Sequence, residues 1–211
     1  MSTILQNIIV RPSTDADVPA MLAIYQHHIS NGLGDVGDYE PERLEADDMK
    51  RRRKNMKSHR LPHVVAEVEG VVAGYAYAVP FRKRPAYRYT LKHSIYIHHN
   101  FVNCGIGRTL LRALTEACAA AGYRQMIGYI DAANQASLRL HESFGFVRVG
   151  FLPSVGFKFG KWADTVMVQR ALGDGDASLP GDWPPAPTVG PAGPDAGQIS
   201  PVIPAQAGIQ D

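Results

Sequence analysis

The chemistry-bearing residues of this chain fall in three runs. His93-Ser-Ile-Tyr-Ile-His-His-Asn-Phe-Val-Asn-Cys-Gly-Ile-Gly-Arg-Thr-Leu-Leu111 reads as a strand, a loop and a helix. Gly105 and Gly107 lack Cβ atoms where the helix begins, so the backbone can approach a ligand closely. Free N–H groups and the helix dipole at such a start favour a phosphate, and Arg108 adds positive charge in the first turn. Alone, a Gly-x-Gly pair is more often a structural turn. The second run, Asn134-Gln-Ala-Ser-Leu-Arg-Leu-His-Glu-Ser-Phe-Gly-Phe146, is a helix with a polar start and a Gly-Phe exit. Asn134 can cap it, and His141 titrates near neutral pH. The third run is Thr90-Leu-Lys-His-Ser94. Strand alternation puts Thr90, Lys92, Ser94 and Tyr96 on one face, and Leu91, His93 and Ile95 on the other. His93, chemically the better base, therefore faces away from Lys92.

The elements that position these residues follow from periodicity. Asn7–Arg11 is a short edge strand. Thr14-Asp15 precedes an amphipathic helix through Met21, Leu22, Ile24, Tyr25 and Ile29, stopped by Gly32. Pro41 opens a charged helix to about Ser58. His63–Glu69 and Val71–Pro80 are strands meeting at Glu69-Gly70, and Arg88–Ile97 is another. Ile106, Leu110, Leu111, Leu114, Ala117, Cys118 and Ala121 form one stripe of a helix closed by Gly122. Gln125–Ile130 (strand), Asn134–Phe144 (helix), Phe146–Leu152 (strand) and Trp162–Arg170 (strand) follow. The order β-α-α-β-β-β-α-β-α-β-β predicts an α/β fold with a mixed sheet.

Composition bounds the partners. Residues 173–211 hold eight Pro, seven Gly, five Asp and no Lys or Arg, so they carry −5 of a net +2. The body, residues 1–172, is thus +7, which suits an anionic ligand. The Pro/Gly-rich stretch cannot bury enough surface to offset its ordering entropy and reads as a disordered tail. Its end, Pro201-Val-Ile-Pro-Ala-Gln-Ala-Gly-Ile-Gln210, resembles the read-through of bacterial intergenic repeats. No apolar run is long enough for a membrane span, and no secretory leader is visible, so a cytoplasmic protein is expected. Two cysteines, Cys104 and Cys118, are too few to staple the fold. The His27-His28 and His98-His99 side chains diverge, so no metal is expected. Lys50-Arg-Arg-Arg-Lys54 has no interleaved aromatics, which favours a solvated face over nucleic-acid binding.

Taken together, the glycine loop and the Asn134–Phe146 helix resemble the GCN5-related N-acetyltransferase (GNAT) superfamily over residues 8 to about 172. Pro80-Phe-Arg-Lys-Arg-Pro-Ala-Tyr-Arg-Tyr-Thr90, Leu140-His-Glu142 and Val155-Gly-Phe-Lys-Phe-Gly-Lys-Trp-Ala-Asp164 are similar to its phosphinothricin acetyltransferase group. The resemblance implies a mostly antiparallel sheet flanked by helices, a homodimer, and acetyl transfer from acetyl-CoA to a small amine. It implies that Val102, Asn103, Cys104, Gly105, Ile106, Gly107 and Arg108 grip the pyrophosphate, with Val102 and Asn103 standing where the family has Arg or Gln and Gly. Asn134 and Ser137 would touch the pantetheine arm. Backbone N–H groups over Ile95, Tyr96 and Ile97 would hold the oxyanion, and His141 would protonate the leaving thiolate. Arg84, Tyr87 and Tyr96 match acceptor-pocket positions. A solvated basic loop beside core aromatics is the competing reading of those three.

Lys92 stands where the group resembles Thr-Val-Glu-x-Ser/Thr, with the Glu as general base. A protonated Lys cannot take a proton from an amine, and its pKa would have to fall by ~3 units through burial or neighbouring cations. Arg82, Lys83, Arg84 and Arg88 are such cations nearby. Three readings follow: Lys92 binds the carboxylate of an anionic acceptor, or is a base of depressed pKa, or marks lost activity. The third makes the chain a catalytically degenerate CoA-binding module. Acetylation of protein N-termini or lysines would need an open groove, which the bulky Tyr87–Tyr96 segment argues against.

Overall fold

The computed structural model describes residues 7–31 and 44–181. Along them run β1 (Ile8–Pro12), α1 (Val18–Ser30), α2 (Ala46–Ser58), β2 (His63–Val68), β3 (Val71–Pro80), β4 (Thr90–Ile97) and α3 (Ile106–Ala120). There follow β5 (Gln125–Asp131), α4 (Gln135–Glu142), β6 (Val147–Lys158) and β7 (Lys161–Ala171). This is the element order that the hydrophobic periods predict. Gly32 and Pro41, read as a helix stop and start, lie outside the described residues. β4 begins at Thr90 because Pro85–Tyr87 winds a turn of 3-10 helix first. β6 runs six residues past its expected end at Leu152. It is an edge strand with two bulges, so Pro153 can sit within it without breaking a central ladder.

The strands form one sheet in the order β1-β2-β3-β4-β5-β7-β6. Every neighbouring pair is antiparallel except β4–β5. Apolar side chains gather in two clusters. The larger holds Leu110, Leu111, Leu114 and Cys118 of α3 with Leu91, Met126, Leu138 and Phe146. Burial pushes the Cys118 thiol up to about 12, so it behaves as a small apolar side chain. The other cluster holds Val18, Met21, Ile24 and Tyr25 of α1 with Val65, Tyr75 and Tyr96 of the sheet. Lys92 and His93 sit on opposite faces, exposed and buried respectively, as alternation requires.

The chain divides after Ser178 into two units. The first residues of the Pro/Gly-rich segment attach to the body: Arg124 bonds Ser178 Oγ at 3.2 Å and pairs with Asp174 at 3.3 Å. The basic run on α2 is not wholly solvated either. Arg53 is buried, donating to the Ser13 carbonyl at 3.0 Å and pairing with Asp15.

At the start of the chain Arg11 joins Asp17 and Glu67, each at 2.8 Å. Hydrogen bonds from Arg11 hold the Asp17 carboxyl down at about 2, against an ordinary 3.8. A depressed carboxylate contributes stability that is fully present above its unfolded pKa and lost as pH falls through the folded one. Asp17→Asn should therefore lower Tm at neutral pH and flatten the fall in Tm between about pH 4 and 2. Thermal melts across that window check it; equal acid slopes for the two proteins would contradict it.

Candidate active site at the split in the sheet

β4 stays paired with β3 from Leu91 to Ile97, but with β5 it pairs only at Thr90, Leu91 and Lys92. Beyond Lys92 the two parallel strands part. The main chain of Ile95, Tyr96 and Ile97 then pairs with β3 and has no β5 partner. His28 of α1 donates Nε2–H to the Ile97 carbonyl at 2.7 Å, which ties α1 to the end of the splayed strand.

The glycine loop lies just after this split. Asn103 (φ 62) and Gly105 (φ 82) both have left-handed backbone, and Gly105 caps the start of α3. Such alternation turns successive N–H groups toward one concavity, and the first N–H groups of a helix lack carbonyl partners. A Cβ on Gly107 would lie 3.1 Å from Leu140 Cδ2, so glycine there lets α3 approach α4 closely. Val102 and Cys104 are exposed on the loop, whereas Ile106 is buried and only its main chain is available. Arg108 reaches across the α3 start, its guanidinium 5.5 Å from the Phe144 ring. This arrangement fits a pyrophosphate through main-chain donors, whatever side chain stands at Val102.

α4 begins beside it. Asn134 caps the helix, its Oδ1 accepting the Ser137 N–H at 3.0 Å, and its own N–H donates to the Asp131 carbonyl at 2.8 Å. One turn later His141 is buried, with Nδ1 2.7 Å from the Ser137 carbonyl and 3.4 Å from Ser137 Oγ. Its Nε2 lies 2.9 Å from Nε2 of His93, whose Nδ1 lies 3.0 Å from the Ile127 carbonyl. Burial, then repulsion by His141, presses His93 down to about 3, and burial lowers His141 as well. The pairing of these two histidines was not read from the sequence, which offered only the face on which His93 sits. Because the folded chain keeps His93 neutral while an unfolded histidine takes a proton near 6.5, stability should fall as pH drops from about 6.5 toward 3.

The opposite face carries a cavity of about 250 Å³. Its sheet wall is Tyr75, Tyr77, Lys92 and Ser94, with His63 at the far side and Arg52 on α2 above. The registers His63↔Tyr77↔Ser94 and Val79↔Lys92 make this one continuous surface across β2, β3 and β4. His63, Tyr75, Tyr77 and Tyr96 have nearly parallel rings, with Tyr75 and Tyr96 centroids 4.9 Å apart. Lys92 is exposed beside it, Nζ 6.0 Å from the Tyr129 ring.

The acceptor residues expected from sequence do not all converge here. Tyr96 is 2% exposed and belongs to the buried aromatic cluster rather than the cavity lining. Arg84 and Tyr87 are exposed on the β3–β4 connection, where the 3-10 turn carries them outward and Tyr87 packs on Phe81 under Arg82. A second cavity, about 470 Å³, has Asp131, Lys158, Trp162 and Asp164 in its wall. There Lys158, 4% exposed, meets Asp131 at 2.6 Å.

A parallel pair that opens beside a glycine-capped helix start, inside an otherwise antiparallel sheet, is the arrangement that the GNAT resemblance implies. The chain belongs to the acetyltransferase (GNAT) family, whose model matches residues 23–146. It is 45% identical over 172 residues to a phosphinothricin N-acetyltransferase of Alcaligenes faecalis, covering 81% of this chain and 86% of the relative. With an L-methionine sulfoximine/L-methionine sulfone acetyltransferase of Salmonella typhimurium it shares 33% identity over 163 residues, 77% of this chain and 94% of the relative. A solved phosphinothricin acetyltransferase of Sinorhizobium meliloti, in complex with acetyl-CoA, superposes with a TM-score of 0.79 at 38% identity. That match covers 83% of this chain and 94% of the other.

Proposed function

We propose that this chain is an acetyl-CoA-dependent N-acetyltransferase acting on a small anionic amino acid or analogue, of the phosphinothricin or methionine sulfone kind. The observation that carries the reading is the sheet split at Lys92, with a phosphate cradle on one side and a cavity on the other. Main-chain N–H groups from Val102 to Arg108 hold the donor's pyrophosphate, and Asn134 and Ser137 meet its arm. The free amine attacks the thioester carbon, N–H groups near Ile95–Ile97 take the oxyanion and the C–S bond breaks; the acylated nitrogen gives up its surplus proton to water, and His141 gives one to the thiolate.

Lys92, in the cavity wall, receives the acceptor's anionic group, while Arg84 and Tyr87 stand outside that cavity. The exposed ammonium of Lys92 suits anion binding better than proton abstraction. With no base at that position, kcat/KM should climb with pH toward the acceptor's own amine pKa. A plateau near neutral pH would point to a base in the protein. A second reading, CoA binding without turnover, rests on the same Lys92; a rate for the natural protein with any amine ends it.

Assembly is read from β6 and β7. Phe151 and Phe157 on the edge strand β6 are 56% and 55% exposed, and Trp162 on the adjoining β7 is 65% exposed. Exposed apolar surface on an edge strand is a contact site, and a second copy of the chain is its occupant here. Trp162→Glu should convert the dimer to monomer in sedimentation; an unchanged mass for both proteins, monomeric or dimeric, would contradict it. Cys104 is an exposed free thiol, which suits a reducing, cytoplasmic compartment.

A further inference from the structure

His93 lies outside the chemistry assigned so far, yet its ring is placed by several independent features. A Cβ on Gly128, in the middle of β5, would lie 2.8 Å from His93 Cε1 and 3.0 Å from Val168 Cγ2. Glycine in a strand interior is unfavourable without such a reason. Phe146 packs against both imidazoles, with centroids 5.4 Å from His93 and 5.2 Å from His141. The Ile127 carbonyl, at the last rung where β4 and β5 pair, lies 3.0 Å from His93 Nδ1.

The proton count of this pair is restrictive. Each Nδ1 faces a main-chain carbonyl, which only accepts, and the two Nε2 atoms face each other. Three contacts need three protons, and a neutral pair has two. If His93 keeps Nδ1–H on Ile127, its bare Nε2 takes the Nε2–H of His141. The His141 Nδ1 is then bare, and the Ser137 hydroxyl at 3.4 Å is at hand to donate to it. Either tautomer leaves one bare Nδ1 against a carbonyl, His141 on Ser137 at 2.7 Å or His93 on Ile127 at 3.0 Å, and a hydroxyl stands beside the first. The first arrangement is therefore the resting one.

We propose that His93 is a positioning residue: by engaging His141 Nε2 it confines the exchangeable proton of His141 to Nδ1, the nitrogen on the Ser137 side. The inference rests on the reading of His141 as the thiolate's acid. In the loaded state the proton shed by the acceptor nitrogen, relayed by water, sits on His141 Nδ1, and all three contacts are hydrogen bonds. The leaving thiolate takes that proton, forming the S–H bond as the Nδ1–H bond breaks, and the pair returns to its neutral resting form. Burial makes the loaded pair a strong acid and a short-lived one.

The test uses four variants of the full chain, assayed for kcat and for KM of acetyl-CoA. His93→Phe keeps the ring and removes both nitrogens. His93→Asn keeps a donor at the Nδ1 position for Ile127 but cannot reach His141, whereas His93→Gln places an amide near the Nε2 position. We expect His93→Phe and His93→Asn to lower kcat by about 10- to 100-fold, with KM for acetyl-CoA within about twofold. His93→Gln should recover most of the loss, and adding His93→Phe to His141→Ala should lower kcat no further. If His141→Ala is impaired while His93→Asn is not, or if the double variant is multiplicatively worse, the inference is overturned and the acid reading stands. If His141→Ala keeps full kcat, both fall. Should His93→Phe fail to fold, the Asn and Gln pair decides the matter, because Asn retains the Ile127 bond.

Discussion

Lys92→Glu should raise KM for an anionic acceptor by roughly 100-fold while leaving KM for acetyl-CoA within about twofold, since a charged contact of 1.5–3 kcal/mol becomes a repulsion. Lys92 stands exposed in the cavity wall, paired in register with Val79 and on the sheet face opposite His93. Under the proposed function its charge acts on the acceptor. An uncharged amine offered to the same variant should react faster, because a carboxylate then stands where a base is useful. The two substrates thus move in opposite directions. Faster turnover of every acceptor, anionic ones included, would show that Lys92 is a lesion and not a recognition element.

Asp131→Ala should cost about 3 kcal/mol, or roughly 10 °C in Tm. The change strips the carboxylate from Lys158, which is 4% exposed and pairs with it at 2.6 Å. It also removes the Oδ1 that accepts the Ala133 N–H at 2.9 Å, in the turn that delivers Asn134 to the start of α4. Loosening that turn should raise KM for acetyl-CoA along with the loss of stability. Adding Lys158→Met should restore part of Tm, since an apolar pair can replace a buried ionic one, but not the KM. A loss under about 1 kcal/mol would mean the pair is solvated and contributes little.

The sequence was most informative where local pattern and burial agree. The predicted α3 stripe is buried at Ile106, Leu110, Leu111, Leu114 and Cys118, with Ala117 half-buried and Ala121 exposed past the helix end, and strand alternation put Lys92 and His93 on their observed faces. Of the motifs behind the GNAT resemblance, the glycine loop and the Asn134–Phe146 helix do meet, at Gly107 and Leu140. Contacts that depend on register between distant strands were not legible. The His93–His141 bond spans 48 residues and needs β4, β5 and α4 to be stacked first. Lys158–Asp131 needs β6 to continue beyond Pro153, where the pattern reads as a stop. Arg53 looked solvated within a run of five cations, because nothing local foretells the Ser13 carbonyl and Asp15 that receive it. Arg84 and Tyr87 were placed by motif alone, and the 3-10 turn at Pro85–Tyr87 sets them apart from the cavity.

The most direct measurement is thiol release from acetyl-CoA against a panel of amines: phosphinothricin, methionine sulfone, methionine sulfoximine, the common amino acids and an N-terminal peptide, from mildly acid to alkaline pH. The account predicts turnover on an anionic or sulfone-bearing amino acid, rising with pH, and little or none on the peptide. Acetyl-CoA binding with no release on any amine at any pH would contradict it, and would leave the Lys92 chain as a coenzyme-binding module.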